Sequence, residues 1–328
     1  MGPTEAFLLS LCSKRTFRCV KAVWKKYRCE TGVDVDGNGN ILYYVTTDVF
    51  NGQRYNILRL KEQNADGDKP DKVMKSSSSV EVPFDFDNKQ FVCRVKKEDL
   101  PLHEIHNRLC ELFRIEKDAV QINGNRMAAS LMTGMVTKSR YTSDSHSAAD
   151  LNAFFTSNPA HTLSIIDGLC PPEVIRPFHP VCYVENLMLS DTKPDMLFFL
   201  NFKGKHLIVK NAEFTKGGIT YPFAFMIEKM KIPFESMIII LKNRIEVDWV
   251  LDQWREDNLF TSEKPPANIF GYNSEMQKYH QFAPGTFDCS EAHHFRSKVE
   301  NKLVSVKLTR DYFMMFVWKN DELTSASS

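Results

Sequence analysis

Apolar residues recur at three- and four-residue spacing near the start of the chain: Phe7, Leu8, Leu11 and Cys12, then Val20, Val23, Trp24 and Tyr27. This period predicts helix over residues 5–27. Ser10 or Ser13 can accept from the free N–H groups of a helical first turn, so two short helices are expected rather than one. Over residues 33–47 the texture changes to that of strands. The turn-forming run Asp36-Gly37-Asn38-Gly39-Asn40 precedes Ile41-Leu42-Tyr43-Tyr44-Val45. Further strands are predicted at 55–60 and 90–96, with the polar stretch 63–79 between them as a loop. Residues 99–113 read as a helix. Pro101 suits its first turn, and Leu102, Ile105, Leu109, Leu112 and Phe113 form one stripe. A strand at 119–122 follows, and 133–147 is polar without a readable period.

The second half alternates. Strand-like apolar runs fall at 163–166, 181–189, 206–209 and 237–241, with helical patterns at 148–155, 223–230 and 247–254. Strand starts lie roughly 20–30 residues apart, the spacing at which strand–helix units stack side by side. Residues 303–308 and 312–318, separated by Thr309-Arg310-Asp311, predict a terminal hairpin. The expected fold is α/β: short N-terminal helices, a mixed α/β body with repeated strand–helix units of leucine-rich-repeat type, and a C-terminal hairpin.

Composition narrows the function classes. With 43% hydrophobic residues in a chain of 328, a substantial core can be buried, while 42 basic against 41 acidic side chains leave +1. That balance argues against nucleic acid or membrane as partner, since either grip needs a basic field. The basic stretch Lys14, Arg15, Arg18, Lys21, Lys25 and Lys26 reads as a solvated helix face. No apolar run approaches the ~20 residues that span a bilayer. The 8 cysteines are scattered without a CxxC pair, as free thiols in a reducing compartment would be, so a cytoplasmic or nuclear location is expected.

Three motifs invite chemistry. Asp34-Val35-Asp36-Gly37-Asn38-Gly39 opens like a calcium loop, but its twelfth position is Val45 where a bidentate carboxylate is needed. A turn is the better reading. His103 and His106 share a helix face without a third ligand at a motif distance. Cys289, His293 and His294 could pair a thiol with an imidazole, but nothing nearby marks the thiol as activated. No phosphate loop, dinucleotide fingerprint or nucleophile elbow is present, so neither a catalytic constellation nor a cofactor is expected.

Two ordered stretches resemble a known family. Pro3-Thr4-Glu5-Ala6-Phe7-Leu8-Leu9-Ser10-Leu11-Cys12-Ser13-Lys14-Arg15-Thr16 looks like the C-terminal half of an F-box in the form carried by the large nematode F-box family. Lys205-His206-Leu207-Ile208-Val209-Lys210-Asn211-Ala212-Glu213-Phe214-Thr215 resembles part of that family's F-box-associated type 2 domain, with Val184-Glu185-Asn186-Leu187 in place of its preceding strand. Leu109-Cys110-Glu111-Leu112-Phe113 and Tyr312-Phe313-Met314-Met315-Phe316-Val317-Trp318 are similar to its middle helix and last strand.

The resemblance implies a partial F-box over 1–29, an α/β middle region over 30–180, the associated domain over 181–255, and C-terminal strands and tail over 256–328. It further implies a non-catalytic substrate-recognition adaptor of an SCF-type cullin–RING ubiquitin ligase. Its partners would be a Skp-type linker with its cullin complex and an unknown protein substrate. By match to the motif, Phe7, Leu8, Leu11 and Cys12 would bind the linker. The alternative expectation is a stand-alone interaction module with a degenerate F-box; a hydrolase using Cys289 with His293 or His294 is the third.

Overall fold

A computed structural model describes residues 2–35, 41–47, 54–62, 72–75, 81–87, 90–95, 102–116, 119–123, 134, 136–145, 148–169, 178–191, 196–214, 217–272, 275–278 and 285–319. The chain is mixed α/β, with seven α-helices among the described residues. It divides into two compact units: Met1–Thr142 with Thr156–Pro159, and Ser143–Phe155 with Ala160–Ser328.

The first unit opens with helices α1 (Pro3–Cys12) and α2 (Lys14–Trp24). Ser13, between them, accepts from the Thr16 N–H at 3.0 Å, so the break falls at the second of the two serines the sequence offered. Ser10 is instead buried in α1 and donates to the Phe7 carbonyl at 2.6 Å. Strands β1 (Cys29–Val35), β2 (Ile41–Thr47), β3 (Arg54–Glu62), β4 (Lys72–Lys75), β5 (Glu81–Asp87), β6 (Gln90–Val95), β7 (Ala119–Asn123) and β8 (Lys138–Ser145) follow. Helix α3 (Leu102–Phe113) lies between β6 and β7. The strands order as β8-β7-β1-β2-β3-β6-β5-β4, antiparallel except where β7 meets β1 and β8 and where β3 meets β6. Strand β4 lies inside the stretch expected to be loop, its four residues too few and too charged for an alternating pattern to register.

Helices α1, α2 and α3 bury Ala6, Phe7, Phe17, Val20, Trp24, Ile105, Leu109, Leu112 and Phe113. Trp24 meets the Phe113 ring edge-on at 5.1 Å. Gly32 in β1 pairs with Tyr44 in β2, and a Cβ at Gly32 would lie 2.0 Å from that ring. The closeness of sheet and tyrosine explains the glycine in a strand interior.

The second unit takes α4 (Ala148–Ser157) up to Phe155 and continues with β9 (Leu163–Leu169), β10 (Asn186–Ser190), α5 (Met196–Asn201), β11 (His206–Ala212), α6 (Gly217–Lys229), β12 (Ser236–Leu241) and α7 (Val247–Glu256). A short ribbon of β13 (Ile269–Gly271) and β14 (Thr286–Asp288) comes next, then β15 (His293–Arg296), β16 (Leu303–Leu308) and β17 (Tyr312–Val317). The main sheet runs β15-β16-β17-β12-β11-β10-β9, with β9 to β12 parallel and side by side in chain order. These are the repeated strand–helix units that the spacing predicted, and β16–β17 is the predicted hairpin. The apolar run at 181–189 divides: Pro180–Tyr183 is a 3₁₀ turn and only Asn186–Ser190 is strand. Helix α6 starts six residues before Phe223 and contains Pro222, whose missing N–H removes one helical hydrogen bond.

Both faces of the parallel strands are buried. On one face the cross-strand row Ile166, Leu189, Val209, Ile239 and Phe313 lies beneath the helices. Phe223 and Trp254 meet there at 4.5 Å, with Phe295 5.4 Å from Trp254. On the other face the row Ile165, Met188, Ile208, Ile238 and Met314 packs against Phe270, Tyr272, Met276, Phe287 and Cys289 from the ribbon and its loop. Trp254→Ala removes a fully buried ring and should cost about 3–5 kcal/mol in urea denaturation, whereas Tyr221→Ala, on the exposed face of α6, should fall within about 0.5 kcal/mol of the parent.

Candidate docking surface

The four residues matched to the linker-binding pattern divide by burial. Helix α1 turns Pro3, Ala6, Phe7 and Ser10 inward, and Phe7 keeps only 1% of its surface. Leu8 and Leu11 are half-buried and Cys12 is exposed. The most open apolar side chain on the helix is Leu9, 42% exposed, which the spacing argument missed. Its exposure depends on which face α3 and the sheet cover, and sequence periodicity does not contain that. Leu8, Leu9 and Cys12 share a face at three- and four-residue offsets, so an apolar edge remains uncovered by the chain's own core.

Neighbouring side chains fix that edge in place. Arg108 of α3 donates to the Ser10 carbonyl at 2.8 Å and lies 3.7 Å over the Phe17 ring, tying the end of α1 to α2 and α3. Lys21 reaches Glu111 at 3.3 Å, and Thr4 donates to the Asn56 carbonyl at 3.3 Å on β3. Helix α2 turns Phe17, Val20 and Trp24 inward and leaves Lys14, Arg15, Arg18, Cys19, Val23, Lys25 and Lys26 exposed.

The other motifs resolve differently. Asp34 lies in β1 beside Leu42 of β2; residues 36–40 lie outside the described residues, flanked by the paired Val35 and Ile41 of an antiparallel hairpin. His106 is buried with Nε2 3.4 Å from the Cys110 Sγ; the side chain of His103 lies outside the described residues. Among the described residues no group of three histidine, cysteine or carboxylate side chains is placed to hold a metal ion, and no helix is long and apolar enough to cross a membrane.

Cys289 is sealed in the ribbon core and donates to the Phe287 carbonyl at 3.9 Å. Burial pushes its thiol up to about 11. His294 Nδ1 lies 3.0 Å from the Ser305 hydroxyl, which also accepts from the Trp318 indole at 2.8 Å, and His293 meets the Phe260 ring edge-on at 5.5 Å. The thiol is thus held in its unreactive form, and its hydrogen bond goes to a carbonyl.

A cleft of about 300 Å³ opens where strands β10, β11 and β12 begin, lined by Thr162, Glu185, Asn186, Lys205, His206, Glu235 and Lys319. Its charges cancel in pairs: Lys205 with Glu185 at 2.6 Å, Lys319 with Glu235 at 3.2 Å. Buried His206 keeps its Nδ1 2.9 Å from the Ser236 hydroxyl. A sequence signal for this edge exists: Glu185-Asn186, Lys205-His206 and Glu235-Ser236 each place a charge and a polar residue ahead of an apolar triplet.

No family model, curated protein or solved structure matches this chain.

The thiols give a pH test. Burial raises both Cys182 and Cys289 from 9.0 to about 11, so the folded state holds their protons more tightly than the unfolded chain does. Stability from these groups is complete below pH ~9 and is lost as pH rises towards ~11. Chemical-denaturation midpoints should fall over that window, and Cys182→Ala/Cys289→Ala should flatten the fall. In the native protein at pH 7, iodoacetamide should label Cys12 and Cys19 and leave Cys182 and Cys289 intact until denaturant is added, as read by peptide mass spectrometry.

Proposed function

We propose that this chain is the substrate-recognition adaptor of an SCF-type cullin–RING ubiquitin ligase, docking a Skp-type linker through α1 and presenting a protein substrate on its α/β body. The observation that carries this reading is the apolar edge of α1, where Leu8, Leu9, Leu11 and Cys12 are left wholly or partly uncovered in a segment that resembles an F-box. An exposed leucine buried at a partner's surface contributes about 1–2 kcal/mol, so two or three decide whether docking occurs. The unreactive Cys289 fits a role in which ligase chemistry resides in other subunits.

A second reading has its own support. Phe7, the largest of the four matched residues, is committed to the chain's own core. That leaves a smaller surface than four exposed anchors would, as in a stand-alone interaction module without a part in ubiquitin transfer.

Co-purification of the full chain with a purified Skp-type linker separates the two. The adaptor reading expects a stable complex that Leu9→Glu weakens ~10-fold or more, equivalent to at least about 1.4 kcal/mol, with the unfolding midpoint unchanged because Leu9 is already exposed. Absence of a complex with the parent chain favours the stand-alone module.

A further inference from the structure

Helix α2 carries the charges of its first turn against its own stability. Lys14 and Arg15 occupy its first turn, where the positive end of the helix favours carboxylates, and no acidic residue is present there. Lys14 and Arg18 lie four residues apart and Arg15 and Arg18 three apart, so like charges face each other along the exposed side. Lys25 and Lys26, past the last turn, suit the negative helix end and extend the same sign along the exposed side. Lys21 is paired with Glu111, but among the described residues Lys14, Arg15, Arg18, Lys25 and Lys26 have no carboxylate partner. Within this basic face lie Cys19, Ala22 and Val23, all exposed, Val23 at 53%.

A helix selected for stability alone would place a carboxylate at position 14 or 15. A chain of net charge +1 has no need of extra cations for solubility at one helix. From this frustrated arrangement we infer that the outward face of α2 is a docking site for an acidic polypeptide segment, whose carboxylates replace the missing ones and whose apolar side chain covers Val23. The inference does not rest on the linker-docking reading, since it concerns a different helix face and a partner defined by charge.

Two other anionic partners fit less well. Eleven helical residues span ~16 Å, enough to meet few phosphates, and a phosphodiester backbone offers nothing to cover Val23. A bilayer surface needs a broad apolar face for insertion, and here three small side chains stand among charges.

The test titrates the full chain against three fluorescent probes. These are a peptide of about twelve residues, glutamates with two central leucines, an oligothymidylate of similar length, and vesicles with roughly one third phosphatidylserine. The peptide should bind best and lose ~10-fold in affinity between ~50 and ~300 mM salt. Lys14→Glu/Arg15→Glu/Arg18→Glu should abolish that binding while raising the thermal midpoint by ~1–3 °C, because carboxylates then occupy the first turn at the positive end of α2. Val23→Ser should weaken binding ~3-fold without altering its salt dependence. If the charge-reversed chain fails to fold, the triple glutamine variant serves, with binding lost and the midpoint maintained or raised. Tighter binding of the oligonucleotide or vesicles, peptide binding equal in parent and variant, or a lowered midpoint in the glutamine variant would each overturn the inference.

Discussion

Burial of both faces of β9–β12 by the chain's own side chains constrains everything else in the second unit. A parallel sheet of stacked strand–helix units ordinarily has one face under helices and another free to meet a partner. Here the second face carries Ile165, Met188, Ile208, Ile238 and Met314 in one cross-strand row, and the ribbon places Phe270 and Phe287 against it, 4.9 and 4.6 Å from Phe316. The ribbon forms its own two-stranded sheet, so side-chain packing and not a shared strand ladder holds it there. With five large side chains at stake, its removal would expose apolar area on the scale of a small core. The face is therefore interior, and this unit leaves strand ends and helix surfaces exposed.

That constraint gives the polar ladders at the strand ends their meaning. At the beginning of the strands Lys205 meets Glu185 and Lys319 meets Glu235; at their far ends Ser190 donates to Asp167 at 3.1 Å, Asn211 to Asp191 at 3.1 Å and Lys242 to Glu213 at 2.7 Å. Each carboxylate is held by a donor one strand further on. Asp191 and Asn211 adopt left-handed backbone, φ 52° and 51°, which short polar side chains tolerate best. Exposed pairs of this kind add little stability individually, but repeated at every step they hold neighbouring units in register.

Much of this is legible in the amino-acid sequence. Leu303–Leu308 and Tyr312–Val317 are dense in strand-forming side chains on either side of a three-residue turn, and the apolar stripe of α3 repeats for three turns, so local pattern and tertiary packing agree. Helix α5 escaped because six residues, Met196-Leu197-Phe198-Phe199-Leu200-Asn201, give an apolar run with no measurable period. The ribbon escaped because three residues a strand cannot display alternation, although Phe270 and Phe287 each sit inward between two exposed neighbours. At the docking edge, periodicity placed Leu8, Leu11 and Cys12 near one another but left open which side of α1 the core would take. It took the side of Phe7, and Leu9 came to the surface.

The two exposed features of the N-terminal helices differ in physical kind, and the difference bears on what each can do. The edge of α1 is apolar apart from the exposed Glu5, so a partner there would be held mainly by area, with modest dependence on salt. The face of α2 is charged and internally repulsive, so a partner there is drawn from a distance and gains from relieving a cost that the free chain already bears. Arg108 links the two at their root: one guanidinium caps the Ser10 carbonyl of α1 and covers Phe17 of α2. Its loss would loosen both surfaces together, whereas a change at Leu9 or at Arg15 acts on one alone. The two surfaces thus differ in range, one acting by area at contact and the other by charge at a distance.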